Sequence, residues 1–213
     1  MSRLIVIEGL DGAGKRTLSD ALCAAFDAAG ARVARLAFPR YDDDVHAQLA
    51  REALYGKAGD LGESVYAMAV LFALDRRAAA PDLRAALAGN DVVLVDRYIA
   101  SNAAYQSARL GQDGDGDVAA WIQDLELQRF GIPIPDHQLL LQVPRAVAAE
   151  RAAHRERTEA GRERDAYESD GGLQERVAAV YARFAATGWL SPWTVLDGTA
   201  ELDAPALAAT LLG

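Results

Sequence analysis

The chain has 213 residues, 51% of them hydrophobic and 25% charged, and a formal net charge of -9 from 31 acidic against 22 basic side chains. That composition excludes disorder and fibrous repeats, and the length suits one domain over 1–213 with a sizeable core. The acidic balance excludes a nucleic-acid polymer as partner, because such binding relies on many Lys and Arg meeting phosphates, but it leaves room for a small, locally basic pocket. Of the 22 bases only Lys15 and Lys57 are lysines. A chain that almost never uses lysine points to a specific need where it does.

The first apolar segment, Leu4–Glu8, reads as a strand, and Glu8 ends it too early for a signal peptide. A helix is expected over 15–29. It carries the single cysteine, Cys23, which excludes an internal disulfide and suits a reducing cytosol. Val33–Ala37 is the second strand and runs into Phe38-Pro39-Arg40-Tyr41. The spacing predicts a helix over 62–80, with Pro81 ending it and opening another at a first-turn position. Val92–Asp96 is the third strand, followed by Arg97-Tyr98, Ser101-Asn102 and Tyr105. Gly111–Asp117 alternates Gly and Asp like the opening of a calcium loop. However, Val118 and Asp124 occupy the places of its required Gly and Glu, so the segment reads as a solvated turn.

Helices over 116–130, 144–157 and 172–187 and strands at Leu139–Val143 and Thr194–Leu196 complete the pattern. The five apolar segments lack strict alternation, as strands covered on both faces do. Alternating with Ala-rich helices, they predict a doubly wound α/β domain built on a five-stranded parallel sheet. No apolar run approaches the roughly 18 residues of a membrane span. A cytoplasmic chain without a membrane partner is expected.

The first loop carries the clearest chemistry. Gly9-Leu10-Asp11-Gly12-Ala13-Gly14-Lys15-Arg16-Thr17 fits G-x-x-x-x-G-K, with an apolar strand before it and a helix after it. Glycines let successive backbone N–H groups converge on one anion, and the helix adds its positive N-terminal end. Lys15 supplies a mobile charge for the β- and γ-phosphates of a nucleoside triphosphate. One position departs from the motif. Arg16 stands where a Ser or Thr hydroxyl normally ligates Mg²⁺, and Thr17 comes one place late. The metal's ligands are therefore open, with Asp11 a candidate inside the loop.

A second set of residues suits a phosphate acceptor. Asp96 and Arg97 lie at the carboxyl end of a strand, the edge where ligands bind in open α/β sheets, and Arg97 can fork onto a second phosphate. Phe72 and Arg76 stand four apart on one helix face, an aromatic plate beside a guanidinium that can address a base edge. Arg40 and Arg97 together favour an acceptor that already carries a phosphate, since a nucleoside would leave both unpaired. Between 151 and 165 five arginines alternate with acids, which suits either a solvated helix face or a lid over the nucleotide.

In combination and in order, Gly9–Thr17, Phe38-Pro39-Arg40-Tyr41, Leu74-Asp75-Arg76, Asp96-Arg97-Tyr98 with Ser101-Asn102, and Asp165-Ala166-Tyr167-Glu168 resemble bacterial thymidylate kinase across essentially the whole chain. The resemblance implies a P-loop kinase fold with a lid insert at about 150–166. It also implies transfer of the γ-phosphoryl group of ATP to dTMP, Mg²⁺ as cofactor and a homodimer. It places Gly9, Gly12, Ala13, Gly14, Lys15, Arg16, Thr17 and Arg151 at ATP. Phe38, Tyr41, Phe72, Arg76, Arg97, Asn102, Tyr105 and Tyr167 fall at dTMP, with Phe72 on the thymine face. Asp11 would contact the sugar or metal, Glu168 would border the metal, and the Phe38–Pro39 bond resembles one that is cis in the family. Lys15, Arg97, Asp11 and Arg155 are expected to carry catalysis. Gly12 leaves the loop without an arginine there, so that charge falls to the lid. The competing readings are a kinase for another nucleoside monophosphate or a deoxynucleoside, and a non-catalytic ATP-binding switch.

Overall fold

A strand with no polar face has to be covered on both sides, and the run Leu4–Ile7 accordingly takes the centre of the molecule, with each side chain at most 1% exposed. The computed structural model describes residues 2–158 and 165–213, and only the backbone of Arg145 and 153–158. Its strands are β1 (Arg3–Glu8), β2 (Val33–Ala37), β3 (Val92–Asp96), β4 (His137–Gln142) and β5 (Trp193–Asp197). They pair in parallel in the order β2-β3-β1-β4-β5. The chain passes outward from β1 to β2, returns to β3, then crosses to β4 and β5. The winding direction therefore reverses beside β1, and the loops at its carboxyl end part to leave a crevice.

The helices are α1 (Lys15–Ala28), α2 (Val45–Leu54), α3 (Val65–Gly89), α4 (Ile99–Arg109), α5 (Asp117–Gln123), α6 (Arg145–Thr158), α7 (Ala166–Ser169), α8 (Gly171–Thr187) and α9 (Ala204–Leu212). Asp44, Ser64 and Asp203 cap α2, α3 and α9 by accepting backbone N–H bonds. The helices α2, α4 and α9 lie where the apolar pattern predicts no helix. α4 is buried along nearly its whole length, Ser101, Asn102, Gln106 and Ser107 included, so its polar residues do not mark a solvent-facing side.

Two expectations need correction. Pro81 neither ends nor restarts a helix: α3 runs through it for 25 residues. Its ring lies on the exposed side, while Ala79, Ala80 and Leu83 pack into the core and hold the helix together across the lost N–H. The stretch 116–130 is not one α-helix either. It passes after Gln123 into a π turn, Asp124–Arg129.

Register sets the site. Ile7 pairs with Asp96, Arg97 N–H donates to Ile7 O at 3.0 Å, and Phe38 N–H donates to Asp96 O at 2.9 Å. The ends of β1, β2 and β3 are thereby tied to one level, and the loops carrying Gly9, Phe38 and Arg97 emerge side by side.

Candidate active site

These loops line a cleft of about 1190 Å³. At one end the phosphate loop wraps the start of α1. Gly12 has φ +84°, and a Cβ there would stand 2.1 Å from Ala148 O of α6, so only glycine fits. Lys15 is 7% exposed and its Nζ donates to Gly9 O (3.2 Å) and Leu10 O (3.0 Å), folding back over the loop. Burial pushes the ammonium down to about 8, and Arg97 acts the same way, against Asp11, Asp96 and Glu8. Arg16 and Thr17 are exposed and line the same end.

The middle of the cleft is a charge cluster. Arg97, at φ +62°, donates from Nη2 to Asp11 Oδ1 (2.7 Å) and from Nη1 to Ser101 Oγ (2.8 Å). Tyr105 donates its hydroxyl to Asp11 Oδ2 at 3.0 Å. Burial works to raise the Asp11 carboxyl, but Arg97 and Lys15 reverse it and hold it below the ordinary carboxylate range. Beneath the cluster lies Glu8, which is fully buried. It accepts from Tyr98 N–H (2.9 Å), Ser101 N–H (3.2 Å) and the Tyr181 hydroxyl (2.8 Å), and Tyr181 Oη stands 3.0 Å from Ser101 Oγ. Burial raises the Glu8 pKa, against the Tyr181 hydrogen bond and Arg97.

Arg40 differs from expectation. It does not line the cleft; its Nε and backbone N–H donate to the Asp75 carboxylate (2.8 and 2.9 Å), and Asp44 lies at 3.5 Å. Its work is to fasten the Phe38–Tyr41 turn, whose Phe38–Pro39 bond is cis, onto α3. Carboxylates already pair both Arg40 and Arg97, so a nucleoside acceptor would leave neither unpaired.

The far end is walled by aromatic rings and polar side chains. Phe72 and Phe38 line it with Arg76 and Asn102. Arg76 is 3% exposed and gives Nε and Nη2 to Glu126 at 2.5 and 2.6 Å, so only part of its fork can face a ligand. Burial opposes the Arg76 charge, and Glu126 more than restores it.

A third wall comes from α6 and α7. Arg151 reaches back to donate from Nη1 to Ala13 O (3.3 Å) and Gly198 O (3.2 Å), clasping the phosphate loop. Tyr41, Tyr167 and Glu168 line the cleft as well. Tyr167 stacks on Tyr105 with centroids 5.7 Å apart and receives a 2.6 Å bond from Arg109. The side chain of Arg155 lies outside the described residues. Among the described residues no group of three or more His, Cys, Asp or Glu side chains is arranged to hold a metal ion.

The cleft thus joins a glycine-rich loop and its buried lysine to an aromatic-lined pocket through the Asp11–Arg97 pair. The sequence model described as thymidylate kinase matches residues 7–199. The chain belongs to the thymidylate kinase family. It is 54% identical over 208 residues to the thymidylate kinase of Mycobacterium tuberculosis strain H37Rv, covering 98% of this chain and 96% of that one. It is 32% identical to the human thymidylate kinase over 201 residues, covering 94% and 84%. Its fold is similar to the solved structure of thymidylate kinase from Candida albicans, with a TM-score of 0.68 at 21% identity over 99% of this chain and 89% of that one. The five-stranded parallel sheet flanked by helices is thus a P-loop kinase fold.

Sequence reasoning missed two carboxylates and two arginines of the site. Glu8, Glu126, Arg51 and Arg109 all carry or line the site, and none was singled out. A buried arginine at Arg76 needs a counter-charge, which was the signal for a distant acid. It did not say which acid.

Proposed function

We infer that this chain transfers the γ-phosphoryl group of ATP to dTMP, giving ADP and dTDP. The observation that carries the reading is the cluster of buried Lys15 with half-buried Asp11 and Arg97, set between a glycine-rich loop and a pocket lined by Phe72, Arg76 and Asn102. The loop from Gly9 to Thr17, with Arg151 across it, takes the triphosphate. Phe72 faces the thymine ring, Arg76 and Asn102 its polar edge, and Tyr105 and Asp11 the sugar side. Tyr41, Tyr167 and Phe38 close the walls.

An acceptor phosphate is largely ionised at neutral pH, so no general base is required. One of its oxygens forms the new P–O bond in line as the bond from the γ-phosphorus to the β–γ bridging oxygen breaks, and ADP leaves with that oxygen. Lys15 and Arg97 neutralise charge on the phosphates, and Asp11 holds Arg97 in aim. Arg151 and Arg155 are the lid arginines of this reading, with Arg155 acting on the transferring group.

Mg²⁺, the companion of ATP in this reading, would supply charge neutralisation on the phosphates. Asp96 fits that role, because its Oδ1 is buried beside Lys15 with no protein partner. Asp11 and Glu168 are the other candidates, although both Asp11 oxygens already accept bonds from Arg97 and Tyr105. A homodimer belongs to the same reading. Tyr66, Val70 and Leu74 recur every four residues along α3 and keep some exposure, a stripe suited to a second copy.

ADP release with dTMP, dUMP, dCMP and thymidine tests the proposal. Selective turnover with dTMP is expected. Preference for thymidine or another monophosphate would replace the acceptor, and ATP binding without turnover on any acceptor would favour a nucleotide switch.

A further inference from the structure

Glu126 is fully buried and does not line the cleft, yet it is tied to the cleft's base end more tightly than any other acid. A buried carboxylate is costly unless partners in good geometry compensate it. Three donors do so here. Oε2 accepts from Arg76 Nε at 2.5 Å, and Oε1 accepts from Arg76 Nη2 at 2.6 Å and from Asn102 Nδ2 at 3.0 Å. The carboxylate is delivered by the π turn 124–129, a helical form that occurs mostly as single turns and often at functional sites.

Asn102 is thereby fixed. Its Nδ2 also donates to Ala69 O at 3.0 Å, so both amide protons face acceptors. A flipped amide would set Oδ1 against two oxygens, which decides the orientation. Oδ1 is left buried in the cleft wall with no protein partner, a condition buried acceptors rarely keep unless a ligand completes them. Arg76, held by Nε and Nη2, keeps Nη1 uncommitted to Glu126. The base end thus offers one acceptor and one donor, the donor held by the Glu126 carboxylate and the acceptor by that carboxylate together with Ala69 O.

We propose that Glu126 is a positioning residue that sets the base specificity of this site, admitting a pyrimidine edge with an N–H next to a carbonyl oxygen and rejecting cytosine. Thymine and uracil present N3–H to Asn102 Oδ1 and O4 to Arg76. Cytosine presents a lone pair at N3 and an amino group at C4, so an acceptor would face an acceptor and a donor a donor. A site with buried groups left unpaired by the wrong ligand discriminates strongly. The inference rests on the dTMP kinase reading and identifies what enforces its choice of base.

Glu126→Gln tests it. A glutamine amide loses the charge that holds Arg76 and can turn its own NH2 toward Asn102, leaving Ala69 O alone to hold the asparagine. The ratio of kcat/KM for dTMP over dCMP should fall about tenfold or more, with a raised KM for dTMP and kcat within a few-fold, because the reacting phosphate lies at the other end. If Glu126→Gln does not fold, the same ratio is read in Glu126→Asp, which keeps the charge opposite Arg76 but shortens the reach to Asn102. A folded variant whose dTMP:dCMP ratio stays within twofold of wild type overturns the proposal, whatever its stability. Wild-type protein that does not turn over dTMP overturns the kinase reading itself, a separate result.

Discussion

Lys15 makes a prediction that can be worked from the structure. Its ammonium is buried, and that burial, helped by Arg97, lowers its pKa to about 8. The neutral fraction in the free protein is then about a tenth at pH 7, half at pH 8 and nine-tenths at pH 9. Bound triphosphate supplies several negative charges at the same Nζ and restores the pKa toward its ordinary value of about 10.4. Binding ATP must therefore take up about half a proton at pH 8 and about nine-tenths at pH 9, and its affinity should fall about tenfold from pH 7 to pH 9. The terminal phosphate's own ionisation, near 6, is complete in that window.

Isothermal titration calorimetry in buffers of contrasting ionisation enthalpy counts the protons directly. The stability of the free protein should move the other way. Between about pH 8 and 10.4 the folded state binds fewer protons at Lys15 than the unfolded state, so this residue's contribution to stability rises with pH. Lys15→Met should remove both effects. Proton uptake below about a tenth at pH 8 to 9 would refute the reasoning, because it would mean that Lys15 keeps its charge in the free site.

Two further outcomes follow from the same geometry. Gly12→Ala places a methyl 2.1 Å from Ala148 O at φ +84°, so α6 must shift; the melting temperature should drop by the equivalent of about 1–3 kcal/mol, and the KM for ATP should rise. An unchanged melting curve and KM would show that α6 does not pack against the loop in solution. Arg155→Ala should lower kcat by about 10³-fold or more while leaving the KM for dTMP nearly unchanged. Single-turnover rates within a few-fold of wild type would move the transition-state charge to Arg151 or Arg16.

How much of this was legible in the sequence depends on how local the physics is. The phosphate loop is one continuous segment whose strand, glycines, lysine and helix start are read together, and its chemistry needs no distant partner. The central strands β1, β3 and β4 were found because burial on both faces leaves runs such as Val92–Val95 apolar throughout, whereas the edge strands β2 and β5 keep exposed positions such as Arg35 and Val195. The same burial hid α4, where Ile99 to Ala108 have no solvated side to set a period. Pro81 misled because its local cost is real, while the packing of Ala79, Ala80 and Leu83 that outweighs it is tertiary. Glu126 was invisible for a similar reason. It stands 50 residues from Arg76 in a stretch that reads as an ordinary amphipathic helix.

The pattern of what was missed carries a physical argument about the site. From the sequence, Arg40 and Arg97 are expected to wait for an acceptor phosphate and Arg76 for a base edge. The structure gives each major acceptor-side arginine a carboxylate: Arg97 has Asp11, Arg76 has Glu126 and Arg40 has Asp75. A buried guanidinium without such a partner would be destabilising by several kcal/mol and free to rotate. Paired, it is fixed in direction before the nucleotide arrives, and the ordering cost is met in folding rather than in binding. The net charge of -9 fits this arrangement. Some of the acids that make the chain acidic sit behind the arginines: Asp11 directs Arg97 into the middle of the cleft, Glu126 directs Arg76 to its far end, and Asp75 fastens Arg40 outside it.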